Sequence, residues 1–177
     1  RAGIRDAELV FVGYGIHAPE AGWDDYAGID MRGKTALILV NDPGFVTGEE
    51  SLFRGKAMTY HGRWTYKFEE ASRQGAAAAI IVHETLPASY DWGVVRNSWS
   101  GPQFYLDRED GNAGRTALEG WITEARARQL VELGGRMWRL ASPRRQSFIL
   151  RPPTGTTTAT SPMRSPRCLR ASPAFIQ

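Results

Sequence analysis

Apolar residues fall along this chain in short dense runs, separated by long polar stretches rich in glycine. Residues 7–16, AELVFVGYGI, are rich in β-formers and predict a strand. Residues 19–33 are studded with Gly and Asp and read as a loop. Residues 34–40, KTALILV, form a continuous apolar run of the kind found in a buried strand. Asn41-Asp42-Pro43-Gly44 is a strong turn signal, and a polar loop follows to about Lys56. Trp64, Phe68 and Ala71 then recur at helical spacing, which predicts a helix over 62–74 with Gly75 as its C-terminal cap. Residues 77–82, AAAIIV, predict a second buried strand directly after that cap. The stretch 84–102 reads as a long aromatic loop, 103–106 as a short strand, and 117–122 as a strand or the entry to a helix. A helix is expected over 123–133, capped by Thr123, with Ala125, Leu130 and Leu133 inward and Gly134-Gly135 ending it. Several strands with two helices on a compact sheet, and no internal repeat, make the body α+β or α/β; we take α+β.

After Gly135 neither period persists. Residues 136–177 hold six of the ten Pro, one Gly, a Thr patch at 156–158 and no acid. This composition leads to the expectation of a disordered basic tail following a domain at 1–135. A shifted reading frame in GC-rich DNA accounts for the same texture. Met137-Trp138 fixes the bases ATGTGG, and the frame one base earlier reads a Val codon that common flanking codons extend to Asp-Val-Glu. The underlying nucleotide sequence decides between the two.

Charge follows the same boundary. Residues 1–135 contain 14 basic and all 19 acidic residues, whereas 136–177 contain eight Arg. The overall charge of +3 therefore belongs to the tail, and the mildly acidic body offers no footprint for a nucleic acid. Cys168 is alone, so no internal disulfide and no Cys-based zinc site are available. No apolar run approaches the ~18 residues of a membrane span. The chain opens at Arg1 without Met or an apolar targeting run, so a removed leader or a missing N-terminus is expected.

Two motifs are decoys. Residues 28–35, GIDMRGKT, satisfy the phosphate-loop pattern, but a strand-like run follows the Lys where a helix N-terminus must hold the anion. Residues 13–18, GYGIHA, fit a relaxed dinucleotide fingerprint, but Pro19, Gly22, Gly28 and Gly33 break the interval that should be helical. His17, His61 and His83 form no metal-ligand spacing, and Ser98-Trp99-Ser100-Gly101 is no nucleophile elbow. Asp24-Asp25 and Glu49-Glu50 read as solvated loop acids; a Ca²⁺ site at the former has no support. No acid, base and activated water assemble, so no catalytic and no metal-binding residue is assigned. The aromatic stretches 61–66, HGRWTY, and 96–100, RNSWS, suit either an interface rim or a core in which Trp99 covers Trp64.

Three blocks carry a resemblance: LVFVGYGIHAPEAGWDDYAGIDMRGKTALILVNDPGF, GRWTYKFEEASRQGAAAAIIVHE and VVRNSWSGPQF. In this order they resemble the protease-associated domain inserted in bacterial two-zinc aminopeptidases of the aminopeptidase Y and glutamate carboxypeptidase type. The resemblance covers about residues 7–134. It implies a swivelling β/β/α fold, with a small mixed sheet or open barrel flanked by helices. It also implies a non-catalytic role in covering the active-site cleft and shaping substrate access, with Arg63, Trp64, Asn97, Ser98 and Trp99 as candidates for that surface. In such enzymes two Zn²⁺ ions and a Glu base sit in a separate peptidase domain, whose first ligand motif is of H-x-D type. This chain carries the basic segment where that motif is expected, so no zinc ligand or base transfers to it, and no cofactor is expected within it. The implied partners are that peptidase domain and a peptide substrate, in the cell envelope or secreted. The alternative from another class is a free-standing module that binds peptides or another protein; a downstream H-x-D segment in the gene separates the two.

Overall fold

A computed structural model describes residues 4, 6–101, 103–106, 108–134 and 148–150. In chain order its elements are β1 (Leu9–Phe11), β2 (His17–Ala18), β3 (Trp23–Asp24), β4 (Thr35–Leu39), α1 (Gly44–Thr47), α2 (Trp64–Arg73), β5 (Ala78–His83), α3 (Thr85–Ala88), α4 (Trp92–Ser98), β6 (Leu118–Thr123), α5 (Glu124–Leu133) and β7 (Phe148–Leu150). The main sheet has the order β6-β5-β4-β1-β7. Its first four strands run parallel, and β7 pairs antiparallel with β1. β2 and β3 form a separate antiparallel pair. The architecture is therefore mixed α/β, with a parallel sheet flanked by helices, where the sequence suggested α+β. The parallel pairing follows from the helical crossovers β4–α2–β5 and β5–α4–β6, which return each strand in the same direction.

Burial on both faces explains the uninterrupted run in β4. Ala36 and Ile38 join a core with Val10, Ala79, Ile81, Phe68 and Ala71 under α2. Leu37 and Leu39 join Phe11, Ile16, Trp23, Val82, Ala127 and Val131 on the opposite face, under α5 and the small hairpin. Gly75 adopts φ +82, which suits the left-handed turn leading directly into β5. Thr123 Oγ1 accepts from the Arg126 N–H at 3.3 Å and starts α5 where expected.

Several expectations are corrected. The 7–16 run is a three-residue strand followed by a turn, because Gly13 and Gly15 both take positive φ. The inward face of α5 is Ala127 and Val131, with Leu130 half-buried; Ala125 and Leu133 are exposed. The aromatic loop contains α3 and α4, the latter capped by the Asp91 carboxylate on the Val94 N–H. Residues 103–106 form no strand, and Phe104 and Leu106 stand 92% and 86% exposed. Phe148–Leu150 pairs antiparallel with β1. The remainder of 136–177 lies outside the described residues. The phosphate-loop decoy resolves as a turn, with Lys34 N bonded to Met31 O and Lys34 Nζ paired with Glu8 at 3.1 Å.

Candidate functional site

Two places concentrate unusual chemistry. The first is interior. Lys67 lies on the inner stripe of α2, three residues from Trp64 and four from Ala71, and is fully buried. Its Nζ donates to the Tyr14 carbonyl at 2.6 Å, in the turn after β1. The ammonium also lies about 6 Å from the ring centroids of Tyr14 and Tyr66. Burial lowers its pKa to about 7, against the opposing pull of Asp42 and Asp25. Asp25 is no solvated loop acid: its Oδ2 accepts from the Ile16 N–H at 3.0 Å, and burial raises its pKa to about 6. Asp42 is buried in the turn after β4 and accepts from Thr59 N at 2.6 Å and Thr59 Oγ1 at 3.1 Å; burial raises its pKa too. These groups tie the turn after β1, the β2–β3 hairpin and the turn after β4 onto α2. Lys67 has no exposed surface, and we read the cluster as architecture.

The second place is a surface groove of about 270 Å³ between α2 and the segment 105–119. Trp64, Thr65, Phe68 and Glu69 form one wall. Tyr105, Leu106, Arg115 and Glu119 form the other. The Arg115 guanidinium stacks 3.3 Å from the Tyr105 ring centroid and forks onto the Glu119 carboxylate. Its pKa is raised by these partners in spite of burial. Trp64 is 37% exposed and meets Trp99 edge-on at 5.5 Å. Trp99 is half-buried and continues inward to Phe68 at 5.6 Å and Trp121 at 6.3 Å. The aromatic column thus runs from the core to the rim of the groove.

Of the five residues singled out from the sequence, Trp64 and Trp99 come together. Trp64 lines the groove and Trp99 supports it from beneath, the reverse of a Trp99 covering Trp64. Arg63, Asn97 and Ser98 are exposed but do not line the groove. Ser98 Oγ is engaged by its own helix, donating to Val94 O at 2.7 Å. Sequence reasoning missed Tyr105 and Arg115. The signal available was FYL standing in a stretch otherwise dense in Gly, Asp and Arg, where a buried strand is not expected.

Histidine chemistry is limited to pairs. His17 Nδ1 lies 3.4 Å from Asp24, and His61 Nε2 lies 3.1 Å from Glu20. His83 Nε2 donates to Tyr90 O at 2.9 Å. Among the described residues no three His, Cys, Asp or Glu side chains converge as a metal site requires. No described helix is long and apolar enough to cross a membrane.

No family model matches the chain, and no curated protein matches it. Among solved structures it is similar to the aminopeptidase from Aneurinibacillus sp. strain AM-1, at 26% identity and a TM-score of 0.35. That similarity covers 71% of this chain and 21% of the aminopeptidase, so the chain spans about a fifth of that protein's length.

Proposed function

We propose that this chain is the non-catalytic, protease-associated part of a zinc-dependent aminopeptidase, covering the active-site cleft and shaping the access of peptides. The observation that carries this reading is the exposed aromatic groove of Trp64 and Tyr105, backed by Trp99. The three sequence blocks, in their order, speak for the same reading and for a swivelling β/β/α fold. On this reading the two zinc ions and the general base belong to a peptidase domain of the full-length protein. That domain and the peptide substrate are the partners, in the cell envelope or outside the cell.

The test is an aminopeptidase assay on the purified chain with added zinc. No release of N-terminal residues is expected, and turnover abolished by a chelator overturns the reading. In the full-length enzyme, Trp64→Ala is expected to raise KM for longer peptides and to leave single aminoacyl anilides unchanged.

A further inference from the structure

β6 is the outermost strand of the sheet, and among the described residues it pairs with β5 alone. Strand geometry fixes where its backbone groups point. Thr35 N donates to Glu8 O and Leu37 O accepts from Val12 N, so Thr35 and Leu37 face β1 and Ala36 faces β5. Through the register Ala36–Ala79–Glu119, Ala79 turns toward β6, and the backbone groups of Leu118, Gly120 and Ile122 face β5. Those of Glu119, Trp121 and Thr123 therefore face away from the sheet. The N–H groups of Glu119, Trp121 and Thr123, and the carbonyls of Glu119 and Trp121, form an outward row of donors and acceptors.

The surroundings of this row are shaped for side chains. On the α2 face, Glu119 reaches the groove with Trp64 and Tyr105. On the other face, a Cβ placed at Gly120 would meet nothing within 4 Å, and its neighbour Leu118 is 40% exposed. An extended chain lying along β6 would thus alternate its side chains between the groove and the gap over Gly120. The charged lining balances, with Glu69 and Glu119 against Arg108 and Arg115. Neither a polyanion nor a polycation is favoured; uncharged apolar side chains against Trp64 and Tyr105 are.

We propose that the open edge of β6 receives an extended peptide, which adds a strand to the sheet and seats every second side chain in the Trp64–Tyr105 groove. This rests on the reading of that groove as the working surface and names the chemistry of its occupant. Main-chain hydrogen bonds supply affinity independent of sequence, and the groove supplies a preference for apolar residues at alternate positions.

The probe is a fluorescein-labelled, N-acetylated, C-amidated peptide of alternating Leu and Thr, titrated with the full chain by anisotropy. Two further peptides carry N-methyl groups on the Leu amides only or on the Thr amides only. Saturable binding is expected for the parent, with at least about tenfold loss for one methylated peptide and not the other, because a strand turns alternate N–H groups toward its neighbour. Trp64→Ala removes the apolar wall of the groove and should weaken binding by a similar factor at unchanged circular dichroism. If that variant misfolds, Leu118→Lys takes its place and should weaken binding in the same direction. No binding of the parent, or equal binding of all three peptides, overturns the proposal. So does concentration-dependent dimerisation abolished by Leu118→Lys, which would give the edge to a second copy. Cleavage of the peptide by the chain would overturn the non-catalytic reading above and leave edge binding standing.

Discussion

Replacing Lys67 by Met tests the interior reading through its pH dependence. The side chains are of similar length, so packing against Tyr14 and Tyr66 is largely kept while the charge is lost. In the folded protein burial holds the Lys67 pKa at about 7, below its ordinary 10.5. Between those values the unfolded chain binds more protons at this site than the folded one. Stability therefore rises with pH through that window, and the full penalty applies below pH 7. Each proton and pH unit is worth about 1.4 kcal/mol. From pH 7 to about pH 9, allowing for half-titration at the lower end, Lys67 contributes a rise of about 2 kcal/mol. Asp25 works in the opposite sense: its raised pKa of about 6 lowers stability as pH climbs from its ordinary 3.8 toward 6. The wild-type contribution is thus lowest between about pH 6 and 7, where both groups are charged. Urea denaturation followed by tryptophan fluorescence at a series of pH values measures this directly. Lys67→Met should abolish the rise above pH 7, whatever its effect on absolute stability. Parallel pH profiles for the two proteins would refute the assignment of a desolvated, ionisable Lys67.

Gly44→Ala drives a Cβ into the Leu52 carbonyl oxygen, a backbone atom with little freedom to yield, so a loss above about 3 kcal/mol in urea is expected. Thr123→Ala removes the cap on α5 and should cost about 1 kcal/mol in the same assay, with Thr123→Ser restoring most of it. Burial lowers the His83 pKa, so stability should fall as the pH drops through the ordinary histidine value of 6.5; an imidazole NMR titration with a midpoint at or above that value would refute it.

The elements most legible from sequence are those whose residues are decided locally. The buried run of β4, the helix α2 with its Gly75 turn, and the Thr123 cap all follow from period, propensity and capping chemistry. The inner face of α5 was less legible, because Ala125 and Leu133 suit a helix equally well whether they point in or out. α4 was hidden because Asp91 and the residues after it read as aromatic loop, and only the cap on Val94 reveals the helix start. β7 depends on a pairing with β1 across most of the chain, which no local pattern carries. For the candidate site, Trp64 and Trp99 were visible as aromatics in polar stretches, but their stacking order depends on how α2 and α4 pack. Lys67 falls on an apolar stripe, and a long basic side chain there is ordinarily expected to reach for solvent. Its burial is set by the Tyr14 carbonyl, 53 residues distant in the chain.

The strand order has a consequence for synthesis. β1, β4, β5 and β6 occupy neighbouring positions in the order in which they are made. A chain emerging from the ribosome can extend its sheet in one direction, each new strand docking on the last without waiting for a distant partner. The exception is the seam between β1 and β7. The first strand to appear keeps its outer edge open until residues 148–150 have been translated, which makes that edge the place most exposed to misassembly during biogenesis.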